Sequence, residues 1–230
     1  MTGCIAIIPA RGGSKGIVHK NLEIVSGLTL VARAITSAIK CPSITRIVVS
    51  SDDQLILDEA SRFGVETIRR PMEIATDESP IELAIMHALS ESESTAPLPD
   101  NLVLLQPTSP LRDPDKLENA IQLFVQLGKF GSIFGVTPVT HHPSKMLIRM
   151  GSTVQPFTTV SDLSSPRQQL PDVVRQSGSI YIANIKRFRT EQSLFLPPVG
   201  WIEVDEFESI DIDQPEDLVR ARETARNLDR

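Results

Sequence analysis

The chain has 230 residues, 40% of them hydrophobic and 23% charged, with a formal net charge of -6, which suits one soluble domain with a sizeable core. Recurring apolar runs exclude a disordered chain, and the lack of any repeat excludes collagen-like and coiled-coil arrays. With 29 Asp and Glu against 23 Lys and Arg, nucleic acid is not an expected partner, so the cations that matter must be clustered locally. Cys4 and Cys41 show no C-x-x-C spacing and read as buried free thiols of a reducing compartment. The apolar run from Cys4 to Ala10 is too short to span a membrane and follows no basic leader. No membrane partner is therefore expected, and the cytoplasm is the expected location.

In chain order, short β-branched runs predict strands over Cys4–Ile8, Arg46–Ser50, Val65–Ile68, Leu102–Leu105 and Ser132–Val136. Amphipathic segments predict helices between them, over Thr29–Lys40, Gln54–Phe63, Pro80–Leu89 and Pro114–Leu127. This alternation reads as an α/β fold, a mostly parallel sheet with helices on both faces. Asp113 before Pro114 and Gly128 after the last periodic residue bound the fourth helix at both ends. Asp213, with Glu216 three residues on, predicts the cap of a final helix running to about Asn227. Residues 139–177 are different, a polar stretch with prolines at 143, 156, 166 and 171 and little periodicity. Insertions of that length are usually functional or interfacial.

Ligands of such sheets bind beyond the carboxyl ends of the strands, so the loops there are the places to search. After the first strand the chain reads Pro9-Ala10-Arg11-Gly12-Gly13-Ser14-Lys15-Gly16, followed by Lys20-Asn21. Paired glycines let backbone N–H groups approach an anion, and Arg11, Lys15 and Lys20 bring three cations to one loop, which suits a triphosphate. Neither G-x-x-x-x-G-K-S/T nor G-x-G-x-x-G is present, which disfavours a P-loop NTPase and a nicotinamide dehydrogenase. A second loop, Gln106-Pro107-Thr108-Ser109-Pro110-Leu111-Arg112, is stiffened by prolines and carries polar side chains toward the crevice. In Ser209-Ile210-Asp211-Ile212-Asp213, alternation puts both carboxylates on one face, where they could hold Mg²⁺ against phosphates. Arg167 and Arg175 flank a polar run and could clamp a carboxylate. His141 and His142, adjacent on an extended chain, point to opposite faces and are poor partners for one metal.

The stretch from Ile8 to Gly16 with Lys20-Asn21 resembles the signature of the sugar-acid cytidylyltransferases. Arg70-Pro71, Leu105 to Arg112, His141 to Lys145, Pro166 to Gln169, Gly178 to Tyr181 and Ser209 to Asp213 extend the likeness nearly end to end, toward the acylneuraminate cytidylyltransferases. The resemblance implies a three-layer, Rossmann-like fold of the nucleotide-diphospho-sugar transferase type, with residues 1–230 as one catalytic domain and the stretch at about 139–177 as a dimerisation insertion. It implies a homodimer that joins CTP to a nine-carbon 2-keto-3-deoxy sugar acid and releases pyrophosphate, with Mg²⁺ present and Mn²⁺ as the alternative ion. Legionaminic, pseudaminic or 3-deoxy-manno-octulosonic acid is the alternative acceptor, and a nucleotide-binding module without turnover is the alternative of another class.

Carried over residue by residue, Arg11, Lys15, Lys20 and Asp211 are the implied catalytic groups. Gly12, Gly13, Ser14, Asn21, Arg70 and Ser79 join the three cations around the nucleotide. Gln106, Thr108, Ser109, Lys145, Arg167, Gln168, Tyr181 and Phe195 are implied for the sugar acid, and Asp211 with Asp213 for the metal. Because the insertion of this family reaches the partner's active site, Phe195 is expected to act in trans.

Overall fold

The computed structural model describes residues 3–128 and 130–228. The first strand, β1 (Cys4–Pro9), is buried throughout, and its residues alternate between two cores. Cys4, Ala6 and Ile8 face one side of the sheet, and Ile5 and Ile7 the other. That two-sided burial explains why the run lacks polar alternation. A short hairpin of β2 (Ile24–Val25) and β3 (Leu28–Thr29) leads into α1 (Leu30–Ile39), whose cap is the Thr29 hydroxyl accepting from the Ala32 amide. Then follow β4 (Ile44–Ser51), α2 (Gln54–Ser61), β5 (Glu66–Arg69), α3 (Ile81–Thr95), β6 (Asn101–Leu104), α4 (Pro114–Leu127) and β7 (Ser132–Pro138). Asp113 caps α4 through the Asp115 amide, and Gly128 ends it at φ 56°, as the start and stop residues predict.

The second half holds β8 (Leu147–Met150), β9 (Thr153–Pro156), α5 (Val160–Ser164), β10 (Val174–Asn184), α6 (Ile185–Glu191), β11 (Val199–Glu203) and α7 (Pro215–Leu228). The seven-stranded sheet runs β11-β7-β10-β6-β1-β4-β5. Every pairing in it is parallel except those of β10, which lies antiparallel between β6 and β7. Helices α1, α2 and α4 cover one face, and α3 and α6 the other, giving the three layers. Helix α7 packs a third, smaller cluster against Val25, Leu30, Leu111 and Ile212.

Strand β10 is unforeseen because its first half is polar: Ser177 and Ser179 are buried and bond to each other at 2.7 Å. Gly178, at φ 80°, breaks the register with β7 between Gln176 and Tyr181. The stretch 139–177 is not irregular either. It carries the β8–β9 hairpin and α5, and its last four residues open β10. Both faces of the hairpin are largely exposed, so no inward apolar row marks it in the sequence.

Asp213 does not cap the last helix. Pro215 takes the first helical position, and the Asp217 carboxylate accepts from the amides of Asp213 (3.1 Å) and Gln214 (2.8 Å). The Asp213 side chain is left for other work.

Candidate active site

Chain order moves from β1 outward through β4 and β5, then returns to β6 on the other side of β1. The loops leaving β1 and β6 therefore part company at a topological switch point, where open α/β sheets bind their ligands. A cleft lies there, walled by Pro9, Arg11, Ser14, Lys20, Asn21 and Arg70 on one side and by Gln106, Pro107 and Thr108 on the other. Ile81 and Gln106 also border a second hollow, formed with Glu82, Leu104, Phe134, Gln176, Tyr181, Ser193, Leu194 and Phe195. The two share a wall and make one two-part depression.

Its first half is cationic. Lys20 donates to the Ile212 carbonyl at 2.7 Å and pairs with Asp213 at 3.2 Å, which ties the first loop to the acidic segment. Asn21 donates to the Arg11 carbonyl at 2.9 Å and fixes the loop's return. Arg70 is buried, and one Nη donates to the Ser50 carbonyl at 3.0 Å. Burial lowers its affinity for a proton, as does the like charge of Arg11, while Asp52 opposes both. Asn21 Oδ1 and Arg70 Nε, both on residues of the cleft wall, are buried with no hydrogen-bond partner among the described residues. A buried acceptor and donor left open are costly unless a ligand completes them.

The second half is aromatic. Phe134 meets Tyr181 edge-on at 5.2 Å and Phe195 at 5.9 Å, a geometry that suits ring quadrupoles. Burial raises the Tyr181 phenol, as does the charge of Asp211. Arg112, buried, donates to the carbonyls of Gln106 (3.0 Å) and Ser179 and so bolts the β6 loop to β10. Burial pushes that guanidinium down to about 10, against the pull of Cys41, Glu208 and Tyr181.

Of the two carboxylates expected for a metal, Asp211 accepts from the Thr108 hydroxyl. Partial desolvation raises its pKa and the charge of Asp213 adds to the rise, whereas Thr108 and Lys20 lower it. Asp211 and Asp213 are solvent-accessible, while Ile212 between them is buried, so the expected alternation is present. Two carboxylates that repel each other beside a cationic cleft fit a hard dication completed by substrate phosphates. Among the described residues no cluster of three or more His, Cys, Asp or Glu could hold one alone.

Several expected site residues lie elsewhere. The Gly12 amide is not free for an anion, because it donates to Asp52 Oδ1 at 2.9 Å. A Cβ at Gly12 would sit 2.6 Å from that of Asp53, so this glycine serves a close loop contact. Gly13 is open. Lys15 stands at the mouth, paired with Asp77 at 3.0 Å. Ser79 bonds to the Thr76 hydroxyl in the turn before α3 and does not line the cleft. Ser109 is fully buried beneath the β6 loop and borders neither hollow.

Lys145 caps the carboxyl end of α5 through the carbonyls of Asp162, Leu163 and Ser165. Arg167 and Gln168 are exposed on a 3-10 turn beside it. None of these three lines the chain's own cleft. Phe195 lines its own chain's hollow. Arg175 bonds the Ser209 hydroxyl at 2.8 Å. His142 accepts from the Ser144 amide at Nδ1, and its Nε2 lies 3.0 Å from the Pro171 carbonyl, a structural use of both nitrogens. Glu82, Phe134, Gln176, Ser193 and Leu194 escape sequence reading, since each stands alone in an apolar run or a loop.

A mostly parallel sheet whose switch point carries a cation-bearing loop beside paired carboxylates has the architecture of a nucleotidyltransferase. A family model described as cytidylyltransferase matches residues 5–168, and the chain belongs to that family. It is 33% identical to a CMP-N,N'-diacetyllegionaminic acid synthase of Legionella pneumophila, over 93% of this chain and 92% of that one. It is 28% identical to a pseudaminic acid cytidylyltransferase of Campylobacter jejuni, over 95% and 94%. It is also 31% identical to an N-acylneuraminate cytidylyltransferase of Escherichia coli, over 94% of this chain but only 51% of that one. The chain thus spans about half the length of that relative. In fold it resembles a CMP:2-keto-3-deoxy-manno-octonic acid synthetase complexed with CTP, with a TM-score of 0.69 at 15% identity over 98% of this chain and 99% of that one. Among the described residues no helix is long and apolar enough to cross a membrane.

Proposed function

We propose that this chain transfers the cytidylyl group of CTP to the anomeric C2 hydroxyl of a nine-carbon, acylated 2-keto-3-deoxy sugar acid. The observation that carries this reading is the two-part depression at the switch point, whose cationic half adjoins an aromatic half through Ile81 and Gln106. The names of the relatives from Legionella and Campylobacter, matched along nearly their whole lengths, support a sugar acid in the second half.

In the reaction the C2 oxygen forms a bond to the α-phosphorus as the α-phosphorus–oxygen bond to pyrophosphate breaks, in line. The hydroxyl proton leaves with solvent or phosphate oxygen. The protein's share is positioning and charge neutralisation. Arg11, Lys15 and Lys20 take up charge developing on the pyrophosphate. Asn21 Oδ1 and Arg70 Nε offer an acceptor and a donor to the nucleotide, and Gln106 and Tyr181 orient the acid. Bound Mg²⁺, held by Asp211 and Asp213, would supply further neutralisation at the phosphates.

Pyrophosphate release measured with each of four nucleoside triphosphates, against a panel of 2-keto-3-deoxy acids, tests the reading. Turnover is expected with CTP and one or more nine-carbon acylated acids, with the CMP-sugar confirmed by mass. Turnover restricted to the eight-carbon acid, or CTP binding without turnover on any acid, contradicts it.

We also read the chain as a cytoplasmic homodimer. The stretch after β7 exposes Leu147, Met150, Val154, Phe157 and Val160, an apolar surface that a second copy would cover. The same contact could deliver Lys145, Arg167 and Gln168, which miss their own cleft, to a neighbour's. Light scattering should give twice the 25.3 kDa chain mass, and Val154→Asp should shift it toward one. A monomer at micromolar concentration overturns the assembly.

A further inference from the structure

Arg11 and Lys15 are both engaged by one carboxylate, Asp77, through Arg11 Nη2 and through Lys15 Nζ at 3.0 Å. Asp77 belongs to residues 75–80, the connection between a 3-10 turn and α3. The connection is held as a closed turn. Thr76 and Ser79 bond through their hydroxyls at 2.7 Å, and the Ser79 hydroxyl reaches back to the Glu73 carbonyl at 3.4 Å. The acid is thus presented to the two cations by a defined turn. The Lys15 side chain is 82% exposed and that of Asp77 28%, so the lysine lies out in solvent apart from this pairing. Hydrogen bonds from Lys15 and Arg11 hold the Asp77 carboxyl below its usual range.

These are the same two cations that the proposed function assigns to the triphosphate. One pair of cations cannot neutralise a carboxylate and a highly charged polyphosphate together, because two anions competing for them at close range repel. Among the described residues Asp77 caps no helix, and its ion pairs are with Arg11 and Lys15. We infer that Asp77 is a positioning residue, an exchangeable counter-ion that occupies Arg11 and Lys15 until the phosphates of CTP displace it and that reclaims them as pyrophosphate leaves. It keeps two flexible cations oriented toward the cleft in the free enzyme, and it weakens the hold on both triphosphate and pyrophosphate.

The inference rests on the reading of the first loop as the triphosphate site, and the tests separate the two. Asp77→Asn removes the charge and keeps the shape. The Kd values for CTP and for pyrophosphate, measured by calorimetry on the intact chain, should both fall about three- to tenfold, the worth of two partly exposed ion pairs. KM for CTP should fall in step while kcat does not rise, and inhibition by pyrophosphate should tighten. Asp77→Ala should behave alike, and Asp77→Glu should return both affinities to near the parent values. A residue that merely stabilised the turn would give weaker binding or none of this split. Unchanged or weaker binding of CTP and pyrophosphate in Asp77→Asn, with a parental melting curve, overturns the inference. Arg11→Ala must weaken CTP binding for the loop reading itself to stand. If it does so while Asp77→Asn fails to tighten, only the role of Asp77 is lost.

Discussion

Lys20→Ala should lower kcat/KM by roughly two to four orders of magnitude, the scale of a single electrostatic donor or an arginine finger aimed at developing charge. The expectation comes from position more than from charge alone. Lys20 joins the β1 loop to Ile212 and Asp213, so its loss removes a cation from the phosphates and loosens the acidic segment beside them. Its side chain is largely buried by these contacts, which limits screening by solvent. Steady-state pyrophosphate release decides the matter. The melting temperature should change little, because Lys20 is a member of none of the three apolar clusters. A variant within threefold of the parent would show that the triphosphate is held elsewhere.

Asp211→Asn should also reduce turnover by about two orders of magnitude or more, since second-shell changes alone often cost metal sites ten- to a hundredfold. Its stability should move the other way. The Asp211 carboxyl is raised in the folded state, chiefly by desolvation and then by the charge of Asp213. A folded pKa above the unfolded value means that the charged form opposes folding. That opposition is absent below the unfolded pKa and fully present once pH rises past the folded one. At neutral pH, in the presence of chelator, the asparagine variant should therefore melt at or above the parent temperature. A lower melting temperature together with intact turnover would place Asp211 in the scaffold.

Strands β1, β4, β5, β6 and β7 are legible, and for β1 and β6 the reason is that a strand buried on both faces must be continuously apolar, as Ile5, Ile7 and Leu102 to Leu105 are. The cation-bearing loop at the cleft is legible because three cations cluster directly after the first buried strand, where α/β sheets bind their ligands. What hides is structure whose logic is not apolar. Strand β10 enters the sheet through buried serines and a glycine at φ 80°, and its sequence reads as a loop. Ser109 shares its motif with Thr108 but turns inward beneath it, a direction that spacing in an irregular loop does not disclose. Asp77 is one acid in a polar connection, and only the fold brings it to Arg11. Lys145, Arg167 and Gln168 carry the resemblance, yet line neither hollow of their own chain, which residue spacing does not disclose.

Tyr181 stands directly opposite Leu104 in the antiparallel pairing of β10 with β6, and β6 lies beside β1. The aromatic hollow and the cation-bearing loop are therefore set apart by a fixed number of interstrand steps, each about 4.8 Å, and Arg112, bonded to the Gln106 and Ser179 carbonyls, pins the arrangement. The sheet works as a ruler between donor and acceptor. On the proposed function, side chains at positions 176, 181, 194 and 195, which line the hollow, can then be exchanged to admit a differently decorated acid without moving the loop that faces the phosphates. Diversity of sugar within one such scaffold becomes a matter of upholstery, with the frame left unaltered.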